Sequence, residues 1–166
     1  HPSTLEYRVL TRGMLSPGHD MGLNTSGGRS DWVVLAENGL RLSYPGSECW
    51  GSLFITVGEP TDEIPRPKHH DLSDFEWLAF ETKGESGGEA VEVAVKDYQA
   101  PDDGMEPKVR VDSLQTDWRN ALIPLDYFDP TDLSRLYVTA SFNFLGADPL
   151  TVFVRDIRYI PANGVA

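Results

Sequence analysis

A single cysteine, Cys49, stands in a chain of 166 residues. No internal disulfide can therefore staple the fold, and metal cages built from several cysteines are excluded. Cations are also scarce, with 14 Lys and Arg against 26 Asp and Glu, for a formal net charge of −12. Nucleic acids, anionic membranes and acidic polysaccharides such as pectate or alginate need a clustered positive surface, so this balance disfavours all three. Neutral partners remain. No run approaches the roughly 18 consecutive apolar residues of a membrane span, and no cationic start followed by an apolar core marks a leader peptide. Helical periodicity is almost missing, the one helix-like piece being a single turn at residues 131–135. Hydrolytic signatures are missing too. No Gly-x-Ser-x-Gly elbow occurs, and Glu92 and Asp97 are too close, on opposite strand faces, to flank a glycosidic bond.

What is present is turn chemistry and short β-type runs. Fifteen Gly and 12 Pro punctuate segments rich in β-branched and aromatic residues. Residues 1–166 read as one domain, of which 1–30 is largely loop with an N-terminal strand at 5–10. Strands follow at 31–35 and 40–44, joined through Asn38-Gly39, a strong hairpin signal. Further strands are expected at 49–57, 75–82, 90–98, 108–111 and 118–125. In the last third, Leu136, Val138, Ala140, Phe142 and Phe144 alternate with Tyr137, Thr139, Ser141 and Asn143 in period two. A turn at 145–149 and a β-rich run at 151–159 then complete what reads as a hairpin. Short strands at this spacing predict an all-β jelly roll, a β-sandwich of two antiparallel sheets.

Three strands carry unusual second faces. Leu53, Ile55 and Val57 point to the core, which leaves Trp50, Ser52, Phe54 and Thr56 opposite. Val91, Val93 and Val95 leave Glu92, Lys96 and Tyr98, and the 136–144 strand leaves Tyr137, Thr139, Ser141 and Asn143. If these strands share a sheet, the outward residues form one surface. Stiff aromatic faces there suit the C–H faces of sugar rings, and the hydroxyl, amide, amine and carboxylate groups suit sugar hydroxyls. Trp118, Trp32 and Trp77 are expected to pack rather than bind.

The sequence also resembles a known group. Trp118-Arg119 with Ile123-Pro124-Leu125 and Phe128, then Asp132-Leu133-Ser134, then Val152-Phe153-Val154-Arg155-Asp156-Ile157-Arg158, is similar to the ending of galactose-binding-like jelly-roll carbohydrate-binding modules. Tyr44-Pro45 and Trp50-Gly51-Ser52-Leu53-Phe54 resemble a strand of family 11 and related β-glucan-binding modules. The resemblance spans residues 40–159. It implies a non-catalytic, secreted domain that binds a neutral plant-cell-wall polysaccharide, most of all a β-glucan such as cellulose, and targets an attached or partner glycoside hydrolase. It also implies a structural calcium, with Asp156, Asp20 and Asn24 as ligands. For Asp156 a bulge is the competing reading, because Val152 and Val154 are offset by one from Ile157 and Tyr159. Two other functions stay open. His1 with His19, His69 or His70 would suit a copper-dependent polysaccharide oxygenase, and a β-sandwich can equally serve as a protein-interaction domain.

Overall fold

In the computed structural model, which describes residues 5–36 and 38–164, twelve strands form two antiparallel sheets packed face to face. The first sheet has seven strands. β10 (Arg119–Pro124), β7 (Phe75–Gly84) and β12 (Leu150–Pro161) lie side by side. The free side of β12 is shared by two partners. β5 (Gly39–Tyr44), backed by β4 (Val33–Ala36), pairs with its first half, and β1 (Tyr7–Thr11), backed by β2 (Met14–Leu15), pairs with its second. The second sheet runs β3 (His19–Thr25), β6 (Trp50–Val57), β11 (Leu136–Leu145), β8 (Val91–Asp97), β9 (Lys108–Val111). The two-sheet jelly roll expected from the strand spacing is the observed class.

The core lies between the sheets and follows the alternation. Leu53 and Ile55, Val91, Val93 and Val95, and Ala140, Phe142 and Phe144 meet Leu40, Leu42, Leu78, Phe80, Val152 and Val154. Each of these side chains is almost fully buried, and a Leu- or Phe-sized side chain contributes roughly 1.5–3 kcal/mol on leaving water. Trp32 is buried as expected, with its ring edge-on to Tyr44 and Phe144.

Several expectations need correction. Residues 16–30 are not a long loop, since seven of them form β3, whose Asp, Gly and Asn hide an edge strand of low intrinsic β-propensity. Residues 136–159 are not a hairpin either. β11 and β12 sit in opposite sheets, so the 146–149 turn arches across the core. Alternation cannot distinguish these outcomes, because both strands turn one face inward in either case.

Period two also fails in the first half of β11. Its pairing shifts register on both sides of Val138 against β8 and between Val138 and Ala140 against β6. Val138 consequently stands opposite Thr56 and Lys96 and lies outside the central core. The bulge at Thr139 turns that residue's carbonyl inward, where it accepts the buried Tyr159 hydroxyl at 2.6 Å. An unpaired phenol in the core would be costly, and the bulge supplies its acceptor.

Candidate functional site

The three strands singled out for their second faces lie side by side as β6-β11-β8, and the registers place their outward residues in rows. β3 and β9 extend the rows on either flank. One row reads Asn24, Ser52, Asn143, Glu92 and Arg110. The next reads Gly22, Phe54, Ser141, Ala94 and Lys108. With neighbouring strands about 4.8 Å apart, each row is roughly 19 Å long. Above the polar row, Trp50 pairs with Leu145, and both are exposed, at 40% and 65%.

The second row forms a floor. A Cβ on Gly22 would stand 2.4 Å from the Phe54 ring, so that ring leans over the glycine backbone instead of standing upright. Ser141 and Ala94 beside it are small and buried. Ser141 donates to the Ala94 carbonyl at 3.3 Å, and the Asn143 amide nitrogen donates to Ser141 Oγ at 3.0 Å and the Glu92 carbonyl at 3.1 Å. Both amide hydrogens of Asn143 are thus held within the sheet. Its Oδ1 remains as an acceptor for an incoming hydroxyl, with the Ser52 hydroxyl and Glu92 carboxylate beside it.

Below the floor, a ledge made by residues 58–71 closes the face. Thr61 N–H donates to the Tyr137 hydroxyl at 2.8 Å, and the Arg66 guanidinium lies 4.7 Å from the Tyr137 ring centre. The Arg66 side chain is wholly buried, donating to Asp102 Oδ1 at 3.1 Å, and Lys96 donates to the same oxygen at 2.9 Å. Tyr137 is only 4% exposed and Thr139 wholly buried, with its hydroxyl aimed at the Ile55 carbonyl. These two residues, expected on the open surface, are instead under the ledge or inside the sheet. Tyr98 is displaced as well. It lies beyond the end of β8, bonded by Arg135 at 2.8 Å and packed on His69. Trp50, Ser52, Phe54, Ser141, Asn143 and Glu92 are therefore brought together, whereas Lys96, Tyr98, Tyr137 and Thr139 belong to the ledge and its supports.

The expected calcium ligands are not assembled. Asp20 and Asn24 face outward on the second sheet, while Asp156 belongs to the first. Asp156 occupies a bulge at φ +56°, where its carboxylate accepts the Arg12 N–H at 2.5 Å and pairs with the Arg12 guanidinium at 3.3 Å. This is the junction where β12 changes partner from β5 to β1, and the side chain supplies contacts that the ladder lacks there. Among the described residues no group of three or more His, Cys, Asp or Glu is arranged to hold a metal ion.

His1 lies outside the described residues. His19 Nε2 meets the Tyr7 hydroxyl at 3.1 Å, and its Nδ1 faces the Ser16 and Pro17 carbonyls at 3.3 Å. Burial pushes the Tyr7 phenol up to about 12. His70 lies 5.9 Å from His19 at the edge of a pocket of about 570 Å³ that also includes Asp20, Glu59 and Lys68.

Sequence reasoning missed the flanks of the face. Gly22 was hidden in the apparent loop, but Lys108 and Arg110 alternate with Val109 and Val111 and were legible.

Comparison with known proteins gives a consistent answer. Residues 22–161 match carbohydrate binding domain 30. A crystal structure of a family 30 carbohydrate-binding module is similar, at 21% identity and a TM-score of 0.65, over 95% of this chain and 88% of that one. The family 30 module of a cellulosomal cellulase of Clostridium thermocellum is similar at 22% identity and a TM-score of 0.66, over 96% and 99%. A family 11 module of the same organism, in complex with a β-1,3-1,4-mixed-linked tetrasaccharide, shares the fold at 14% identity and a TM-score of 0.56, over 96% and 89%. No curated protein matches. With 22–161 being most of its length, the chain belongs to the family 30 carbohydrate-binding modules, non-catalytic domains whose ligand is a polysaccharide.

Proposed function

We propose that the open face of the second sheet binds a neutral β-glucan chain lying across the strands. The observation that carries this reading is the row Asn24, Ser52, Asn143, Glu92 and Arg110, set between the exposed Trp50 and the Phe54 floor. A glucan presents apolar ring faces and equatorial hydroxyls in alternation, which this arrangement matches with one aromatic platform and a line of donors and acceptors. The domain performs no chemistry itself. It works outside the cell and raises the effective concentration of an attached or partner glycoside hydrolase at the polymer. The mixed-linked tetrasaccharide bound by the family 11 relative supports the ligand class. Affinity electrophoresis in gels containing β-glucan, xylan or mannan tests the proposal. Retardation by β-glucan is expected, and unaltered migration of folded protein in all β-glucan gels overturns it.

A further inference from the structure

The opposite side of the sandwich carries an aromatic group that the proposed function leaves unused. Trp118 stands immediately before β10, yet a Cβ on Gly39, at the start of β5, would meet the tip of its ring at 3.1 Å. β7 and β12 lie between those two strands, so the indole must extend along the sheet surface. It rests on a constructed bed. Arg155 Cζ lies 4.1 Å and Lys83 Nζ 5.0 Å from the ring centre, and the Phe153 ring meets it at 74°. Arg155 is itself fixed by two bonds to Glu81 Oε1, at 2.9 and 3.2 Å. Trp118 is half-buried.

Three ion pairs in this region, Arg155–Glu81, Arg41–Glu85 and Arg119–Asp117, match positive and negative groups locally. Such a surface offers many hydrogen-bonding groups with little net charge. That composition suits a polyhydroxylated neutral ring better than an anion or an acidic peptide. The flat, stiff indole supplies the complementary apolar contact at small entropic cost.

We infer that Trp118 is a second sugar-contacting platform, placed back to back with the first and taking a pyranose ring of the same class of neutral glycan. The inference rests on the proposed function only for that ligand class. A module with two opposed platforms joins two chains of the polymer instead of sitting on one.

Titration with a β-1,3-1,4-linked tetrasaccharide, followed by the indole N–H signals in ¹H–¹⁵N spectra, tests it. The Trp50 and Trp118 signals are expected to shift, with two equivalents bound per chain. Trp118→Ala is expected to abolish the second equivalent and leave the Trp50 response. Trp118→Phe, which keeps a ring on the bed, guards against a folding defect. Light scattering with long soluble β-glucan is expected to show cross-linking by the unmodified protein and none by Trp118→Ala. A Trp118 signal that stays still while Trp50 moves, at one equivalent, overturns the inference alone. Movement of Trp118 alone overturns the first platform instead, and stillness of both overturns the two together.

Discussion

At the scale of single residues, Trp50 and Asp156 show how a side chain's surroundings decide its role. Trp50 is 40% exposed and stands outside the core cluster, so truncating it removes contact area without opening the core. Trp50→Ala is expected to weaken β-glucan binding at least about tenfold, or ~1.4 kcal/mol, with an unchanged melting temperature, by calorimetry and thermal denaturation. Asp156 is the reverse case. Its carboxylate serves Arg12, and its backbone sits at φ +56°, a conformation that Asp and Asn tolerate better than most residues. Asp156→Ala should therefore cost about 2 kcal/mol in urea denaturation, and Asp156→Asn less than half of that. The offset between Val154 and Ile157 made the bulge legible in the sequence. The partner was not legible, because Arg12 lies 144 positions away.

At the scale of elements, the ledge matters most. Residues 58–71 hold three prolines and no alternating run, so nothing local announces that they fold back over β11. The hidden cause is Arg66, whose buried guanidinium finds Tyr137 and Asp102 from distant segments. Alternation placed Trp50, Ser52, Phe54, Ser141, Asn143 and Glu92 correctly because regular pairing preserves the face. It misplaced Thr139 because a bulge there breaks the alternation, and Tyr137 because the ledge covers it. His70 anchors the ledge through a pair of backbone bonds with Leu136, at 2.9 and 2.8 Å. Burial, reinforced by the nearby His19 and His69, holds its imidazole below the ordinary histidine value of about 6.5. The unfolded chain then takes up the proton more readily than the folded one. This contribution to stability is full above pH ~6.5 and is lost as pH falls toward the lower folded value. The melting temperature is expected to drop between pH 7 and pH 5, and less so in His70→Gln. Equal pH dependence in the two proteins would assign the loss to other groups.

At the scale of the whole molecule, a net charge of −12 stands beside the neutral ligand proposed above. Long-range attraction contributes nothing to that encounter, so affinity should be nearly independent of salt. Less than about a twofold change between 50 mM and 1 M NaCl is expected in calorimetry, whereas a steep decline would point to an ionic contact. The two-sheet class was legible because some ten short expected strands leave few other solutions, but the assignment of each strand to a sheet depended on contacts across the core. One such assignment reaches further. β1 and β12 are antiparallel neighbours, with Tyr7 opposite Tyr159, in the sheet that faces away from the proposed glucan groove. The two ends of the fold thus emerge side by side on the back of the domain. Bridging them with a short Gly-Ser linker and reopening the chain in the exposed 99–107 loop would give a circular permutant with the same hydrogen-bonded sheets. Any cargo fused there would emerge beside the groove, whereas cargo attached ahead of β1 or after β12 is carried behind it.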